Sequence, residues 1–320
     1  MNGLLPILGA CLLWALDTLI RYPLLASGAS AWTIVWLEHA MLVAAMAWWL
    51  VPMLNERGPA RRLDRRALVG FLVIGGLGSG LGTVAFTQAF ALINPSVVIL
   101  IQKLQPIVAV SLAALLLGER VGGRFLGWLA LCLGGSFLIA WPDLGPALDP
   151  ASWGGRESRT LLLGYGCTLL AVFAWGSSTV LGKRLGNAGF SPTELMAGRF
   201  AAGLAVLTPL LFLFGRPSQA LDPAIAGKVV LMVMISGLAA LWLYYRGMRH
   251  LPARAVAVAE MAFPVAAVLV NWVALGKTLE PVQIAGAAVL LGGSTMVALT
   301  QIDDSSRARE AGTLDRVADA

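Results

Sequence analysis

Six ionisable side chains lie inside apolar runs long enough to cross a bilayer: Asp17, Glu38, His39, Lys103, Arg199 and Glu260. A charge at the bilayer centre costs about 2.5–3.5 kcal/mol on insertion scales, so such groups turn to the protein interior or a wet cavity and find partners. The chemistry open to them is ion pairing, uptake of a proton by an acid, and hydrogen bonding to a polar solute. They do not make a hydrolytic set. The acids are scattered, there are two histidines in the chain, and no His-Glu-x-x-His pattern occurs. An intramembrane enzyme is disfavoured on that ground, and no cofactor or metal site is expected.

Polar and aromatic residues accompany these charges. At 100° per residue, Glu260, Pro264 and Asn271 fall within about 40° on one helical face, and Gln102, Lys103 and Pro106 within about 100°. Trp14, Asp17 and Arg21 share a face of the first apolar run; Trp175, Ser178 and Thr179 share the corresponding face of the sixth. A central proline frees a backbone carbonyl, which is tolerable where helices line a cavity. Two readings stay open for all of these residues. They line a cavity and contact an organic solute, with the tryptophans stacking on it, or they are kinks, core rings and static struts. Lys103 could also lie along its helix and snorkel outward. "GGLGSGLG", Gly75 to Gly82, reads as close helix packing. "GSSTVLGK", Gly176 to Lys183, is no phosphate loop: it has one residue too many between its glycines, and Arg184 follows where Ser or Thr is required.

The elements that must position these groups are plain from composition. The 320 residues are 58% hydrophobic and 12% charged, against about 25% charged in soluble domains. Ten spans are expected, at 3–22, 31–52, 67–90, 96–117, 123–141, 161–182, 192–214, 228–248, 254–275 and 279–300. Cys11, Cys132 and Cys167 stand apart in apolar runs and read as small buried hydrophobes. The first run lacks a basic leader and a cleavage site, and reads as a retained helix. With a cytoplasmic N-terminus, fifteen basic residues fall on the cytoplasmic side and six, Arg21 among them, on the other. That bias places both termini in the cytoplasm. The basic pI of about 9.6 then reflects these loops rather than nucleic-acid binding.

The chain repeats itself. "LGGS" at Leu133–Ser136 recurs at Leu291–Ser294, and the same 158-residue offset carries Pro106 onto Pro264 and Gly118 onto Gly276. An offset of 161 carries Trp14 onto Trp175, Thr18 onto Thr179 and Glu38 onto Arg199. Each unit holds five spans, so the second enters the membrane in the opposite sense. Inverted repeats of this kind are a transporter architecture with a midplane site between the halves. By depth, Asp17, Glu38 and Lys103 share the outer half of the membrane, and Arg199 and Glu260 the inner half. Lys103 maps one residue from Glu260. The expectation is therefore two acid–base pairs, Glu38–Lys103 and Arg199–Glu260, that close opposite sides of a central cavity.

Two segments carry a family resemblance: "LINPSVVILIQKLQPIVAVSLAALLLGERVGGRFLGWLALCLGGSFLI" and "HLPARAVAVAEMAFPVAAVLVNWVALGKTLEPVQIAGAAVLLGGSTMV". Each has a short loop, a helix with a central proline, an "LGE"-like turn and a glycine-rich helix, with Lys277 where the first copy has Glu119. The chain resembles the drug/metabolite transporter superfamily, in its ten-helix EamA-type group, over residues 3–300. The resemblance implies a secondary carrier in a bacterial cytoplasmic membrane, often an exporter of amino acids, metabolites or toxic compounds.

The expected fold is an all-α membrane protein of ten transmembrane helices in two inverted five-helix repeats, 1–141 and 161–300. An external linker, 142–160, joins them, and a disordered cytoplasmic tail, 301–320, follows. The expected function is alternating-access transport, export preferred, of a small polar metabolite. An amino acid is preferred because the membrane-embedded charges are mixed. Glu38 or Glu260 could take a coupling proton; an uncoupled facilitator or channel-like pore is the alternative. The substrate cavity or gates are expected at Trp14, Asp17, Glu38, Gln102, Lys103, Pro106, Trp175, Ser178, Arg199, Glu260, Pro264 and Asn271. The partners are the small-molecule substrate, the bilayer and protons.

Overall fold

The computed structural model describes residues 3–55, 65–117, 123–147, 155–251 and 253–318. The "LGE" turn at Glu119, residues 148–154 of the 142–160 linker and residues 56–64 of the basic 53–66 loop lie outside these residues. Ten helical runs cross the molecule: α1 Leu4–Ala26, α2 Ala31–Asn55, α3 Arg65–Leu92, α4 Pro95–Leu115, α5 Gly123–Ala147, α6 Arg156–Asn187, α7 Pro192–Phe214, α8 Pro223–Met248, α9 in two pieces, Ala253–Ala259 and Ala262–Leu275, and α10 Pro281–Ala318. Nine are apolar and long enough to span a bilayer, and Ala262–Leu275 is a shorter apolar helix. The described residues contain no strand. Large apolar side chains such as Trp48, Phe212 and Val273 point outward, as a lipid-facing surface requires. α10 runs on through Ala318, where the sequence suggested a disordered tail; that stretch is rich in the strong helix formers Ala, Arg, Glu and Leu.

The sequence writes several of the helix starts. Asn94, Ser191 and Asp222 each cap a helix whose first residue is proline, and each side chain accepts a hydrogen bond from a backbone N–H of the first turn. Proline at that position lacks a donor that the helix could not have used. Ser191 and Glu194 complete a reciprocal capping box.

Packing repeats when the halves are exchanged. α1 packs on α8 and α9, and α6 packs on α3 and α4. α5 and α10 lie against each other in an extensive contact. There the Cys132 thiol points to the Leu290 carbonyl at 3.9 Å, and these two residues are separated by the 158-residue repeat offset. A Cβ on Gly135 would come within 2.6 Å of the Leu290 nitrogen, so only glycine lets these backbones meet.

Local distortions repeat too. α3 and α8 each carry a π-helical segment, Leu72–Leu81 and Val233–Ala239, which begin 161 residues apart. α4 tightens to a 3₁₀ turn at Gln102–Leu104, and α9 breaks at Glu260–Met261. The cause is the same in both. Pro106 and Pro264 have no N–H, so the carbonyls four residues earlier, Gln102 and Glu260, lose their helical donors. Each is met instead from three residues on: Gln105 N–H donates to Gln102 O, and Phe263 N–H to Glu260 O at 3.1 Å.

Candidate functional site

A cavity of about 280 Å³ lies between α4, α6 and α7, lined by Gln102, Gln105, Trp175, Ser178, Thr179 and Arg199. The α4 distortion turns its two glutamines into it. Ser178 and Thr179 donate their hydroxyls to the carbonyls of Ala174 and Trp175 in their own helix, at 2.8 and 3.0 Å. Their oxygens therefore remain as acceptors. The Trp175 ring leans on Phe86 at 5.0 Å between centroids, which fixes its plane. Arg199 lies 5.9 Å from the Phe200 ring. Both ion pairs among the described residues belong to Arg21, so Arg199 is paired with no carboxylate, and its buried Nε has no hydrogen-bond partner. The amide oxygen of Gln102 is likewise buried and unpartnered.

The two expected acid–base pairs are not formed. Glu38 is held by Arg21, whose Nη1 lies 3.2 Å from Oε2, while Arg21 Nε reaches Asp17 at 2.7 Å. Thr87 also accepts from this guanidinium at 2.9 Å, and Asp17 accepts from Ser236 at 2.7 Å. Arg21, counted from sequence with the external basic residues, is 4% exposed: α1 runs four residues beyond the expected boundary, so the guanidinium lies inside the span. The signal was present in the i, i+4 spacing of Asp17 and Arg21. Glu260 accepts the Tyr244 hydroxyl rather than an Arg199 bond. Lys103 places its ammonium 5.2 Å from the centre of the Phe263 ring, and Glu260 is the carboxylate that acts on it electrostatically.

Other expected residues lie elsewhere. Trp14 donates to Ser236 O at 3.0 Å and packs against Tyr244 and Phe263. Asn271 is fully buried and donates to Ser96 at 3.1 Å, fastening α9 to α4. Pro106 and Pro264 cause the helix distortions. His39 is structural: one ring nitrogen faces the Val35 carbonyl at 2.9 Å, and the other faces Ser79 at 3.0 Å. A carbonyl can only accept, so Nδ1 carries hydrogen and Nε2 receives the serine hydroxyl.

Exchanging the halves relates these two groups of residues. Trp175 with Phe86 matches Trp14 with Tyr244, and Gln102 and Gln105 match Glu260 and Phe263. In one half aromatic rings fill the space; in the other, amides and Arg199 border a cavity. The polar network is matched as well. Asp17, Arg21 and Glu38 correspond to Ser178, Gly182 and Arg199. Where the first half inserts a guanidinium between two carboxylates, the second has a guanidinium, a hydroxyl and a bare glycine.

The family model described as the EamA-like transporter family matches residues 1–141 and 162–299. The chain belongs to the EamA-like transporter family. This EamA-like protein is 30% identical over 299 residues to the protein named riboflavin transporter ImpX of Fusobacterium nucleatum subsp. nucleatum, covering 91% of this chain and 95% of that one. It is 31% identical over 201 residues to an uncharacterized protein of Pseudomonas aeruginosa, covering 62% and 63% of the two chains. A solved crystal structure, 21% identical, superposes with a TM-score of 0.57 over 93% of this chain and 97% of the other; that likeness shows the fold. The chain is thus a multi-pass membrane protein of a small-molecule transporter family.

Proposed function

We propose that this chain is a secondary carrier for a flat heteroaromatic metabolite of the flavin type, working by alternating access. The observation that carries the reading is the lining of the cavity: one tryptophan ring, two amides, two hydroxyl oxygens and an Arg199 without a carboxylate. The sequence favoured an amino acid because acids and bases seemed to share one cavity. Of the six lining residues, none is acidic, so a substrate ammonium would meet no counter-charge. A ring with carbonyl acceptors suits the lining better. The naming of one relative as a riboflavin transporter supports the same choice. The volume of about 280 Å³ lies just below the usual range for organic ligands, roughly 300–1,000 Å³, so the fit is to a flat ring system rather than a bulky solute.

The Asp17–Arg21–Glu38 network closes the half of the membrane opposite Arg199 in this state. With the basic loops inside and both termini cytoplasmic, the cavity belongs to the inner half of a bacterial cytoplasmic membrane. Purified protein in liposomes tests the reading. Labelled riboflavin should exchange against unlabelled riboflavin inside the vesicle, above the level of empty vesicles. Imposed proton gradients of either sign then report coupling and favoured direction, export being the expectation. No riboflavin exchange would end the flavin assignment; flux without counterflow would favour a channel-like pore.

A further inference from the structure

Within the flavin reading, on which this step rests, we infer that Arg199 and Gln102 recognise the cyclic imide edge of the ring, the run C=O, N–H, C=O. The argument begins with unspent hydrogen bonds. Two side chains that line the same cavity, Arg199 on α7 and Gln102 on α4, each retain a buried, unpartnered atom: a donor on Arg199 and an acceptor on Gln102. Leaving such groups unmet costs free energy, and a ligand that meets both at once gains from each. An imide edge supplies the match. One carbonyl accepts from the Arg199 guanidinium, and the N–H donates to the Gln102 amide oxygen. The second carbonyl accepts from a glutamine amide, while Trp175 stacks on the ring face. A carboxylate would satisfy Arg199 but has no hydrogen for Gln102.

Comparison of the halves explains why Arg199 is available. At the position of Asp17 the second half has Ser178, and at the position of Arg21 it has Gly182. The charge network that consumes Glu38 in the first half has therefore been dismantled around Arg199, and Gly182 leaves open space: a Cβ there would meet nothing within 4 Å. Position 182 stands to position 199 as Arg21 stands to Glu38. A carboxylate introduced there should reach the guanidinium and occupy it.

The test uses the full chain in lipid nanodiscs. The ligands are lumiflavin, the ring with a methyl group in place of the ribityl chain, and its N3-methylated form. Binding is read from quenching of flavin fluorescence by stacking on Trp175. Lumiflavin should bind saturably, and methylation of the imide nitrogen should weaken it about ten- to a hundredfold, the worth of a lost neutral hydrogen bond and an orphaned amide oxygen. Arg199→Gln and Gly182→Glu should each weaken lumiflavin by a similar factor and narrow the gap between the two ligands. Equal affinity of the two flavins for the unaltered protein overturns edge recognition and leaves flavin transport standing. Wild-type affinity in folded Gly182→Glu and Arg199→Gln also overturns it. Absence of any lumiflavin binding removes the flavin reading and this inference together.

Discussion

Arg21 reaches from α1 to Glu38 on α2 at 3.2 Å, and the same guanidinium holds Asp17 at 2.7 Å. One cation thus satisfies two carboxylates well inside the membrane-spanning region. Removing one partner of a buried pair costs about 3–5 kcal/mol, because the other charge is stranded. Arg21→Met should therefore lower the thermal midpoint in detergent sharply. Adding Glu38→Gln to that variant should restore part of the loss, since one stranded charge is removed. If the two changes are simply additive, the network does not couple α1 to α2.

Much of the architecture was legible in the residues. The 158- and 161-residue offsets picked out the prolines behind both helix distortions and the matched tryptophans, because residues that shape a helix leave a mark in the sequence. Gln102, Trp175, Ser178 and Arg199 were all named from sequence and share one cavity. The partners of the charges were not legible. Pairing Glu38 with Lys103 rested on equal depth, and depth says nothing of rotation about the helix axis. Arg21 was counted with the external charges because it fell at the last turn of the expected span, although the helix continues to Ala26. Tyr244 as the partner of Glu260 also escaped notice. A phenol in an apolar run gives no charge signal, and its match through the repeat is the uncharged Phe86.

Gly75 lets α3 and α7 touch through their backbones. A Cβ at that position would lie 2.4 Å from the Arg199 carbonyl and 2.9 Å from the Gly203 nitrogen. Backbone atoms cannot turn aside as a side chain can. Gly75→Ala should cost about 1–3 kcal/mol through overpacking and move Arg199 away from the cavity wall. A lowered melting temperature together with weaker flavin binding is expected. An unchanged midpoint would show that the helices separate freely at this crossing.

Trp14 and Trp175 are repeat equivalents with different expected roles. Trp175 borders the cavity, whereas the Trp14 indole nitrogen is bonded to the Ser236 carbonyl at 3.0 Å. Losing an aromatic stacking partner is worth about 0.5–1.5 kcal/mol, so Trp175→Ala should raise the half-saturating substrate concentration roughly three- to tenfold, while Trp175→Phe is milder. Trp14→Phe should instead lower stability by about 1 kcal/mol, the typical net worth of one hydrogen bond, with little change in half-saturation. Melting curves and initial exchange rates on the same preparations separate the two effects. Equal transport defects in Trp175→Ala and Trp14→Phe would contradict this division of roles.

Glu260 differs from Glu38 in what holds it. Glu38 is clamped by a guanidinium, whereas the hydrogen bond to the Glu260 carboxylate comes from the neutral Tyr244 hydroxyl. Of the two acids, Glu260 is the one without a guanidinium partner, so a response to a proton gradient is expected to depend on it rather than on Glu38. Glu260→Gln keeps the size and an acceptor for Tyr244, so it should retain substrate counterflow while losing acceleration by a proton gradient. Lys103→Met should leave folding nearly intact, because Ser294 is bonded to the Lys103 backbone carbonyl at 3.0 Å and the side chain contributes mainly its contact with Phe263. That contact is worth about 0.5–2 kcal/mol. The expected readout is a weaker response to the gradient, with counterflow reduced less. A Glu260→Gln protein that still answers fully to the gradient would take this acid out of the coupling step and leave Lys103 as a packing residue against Phe263.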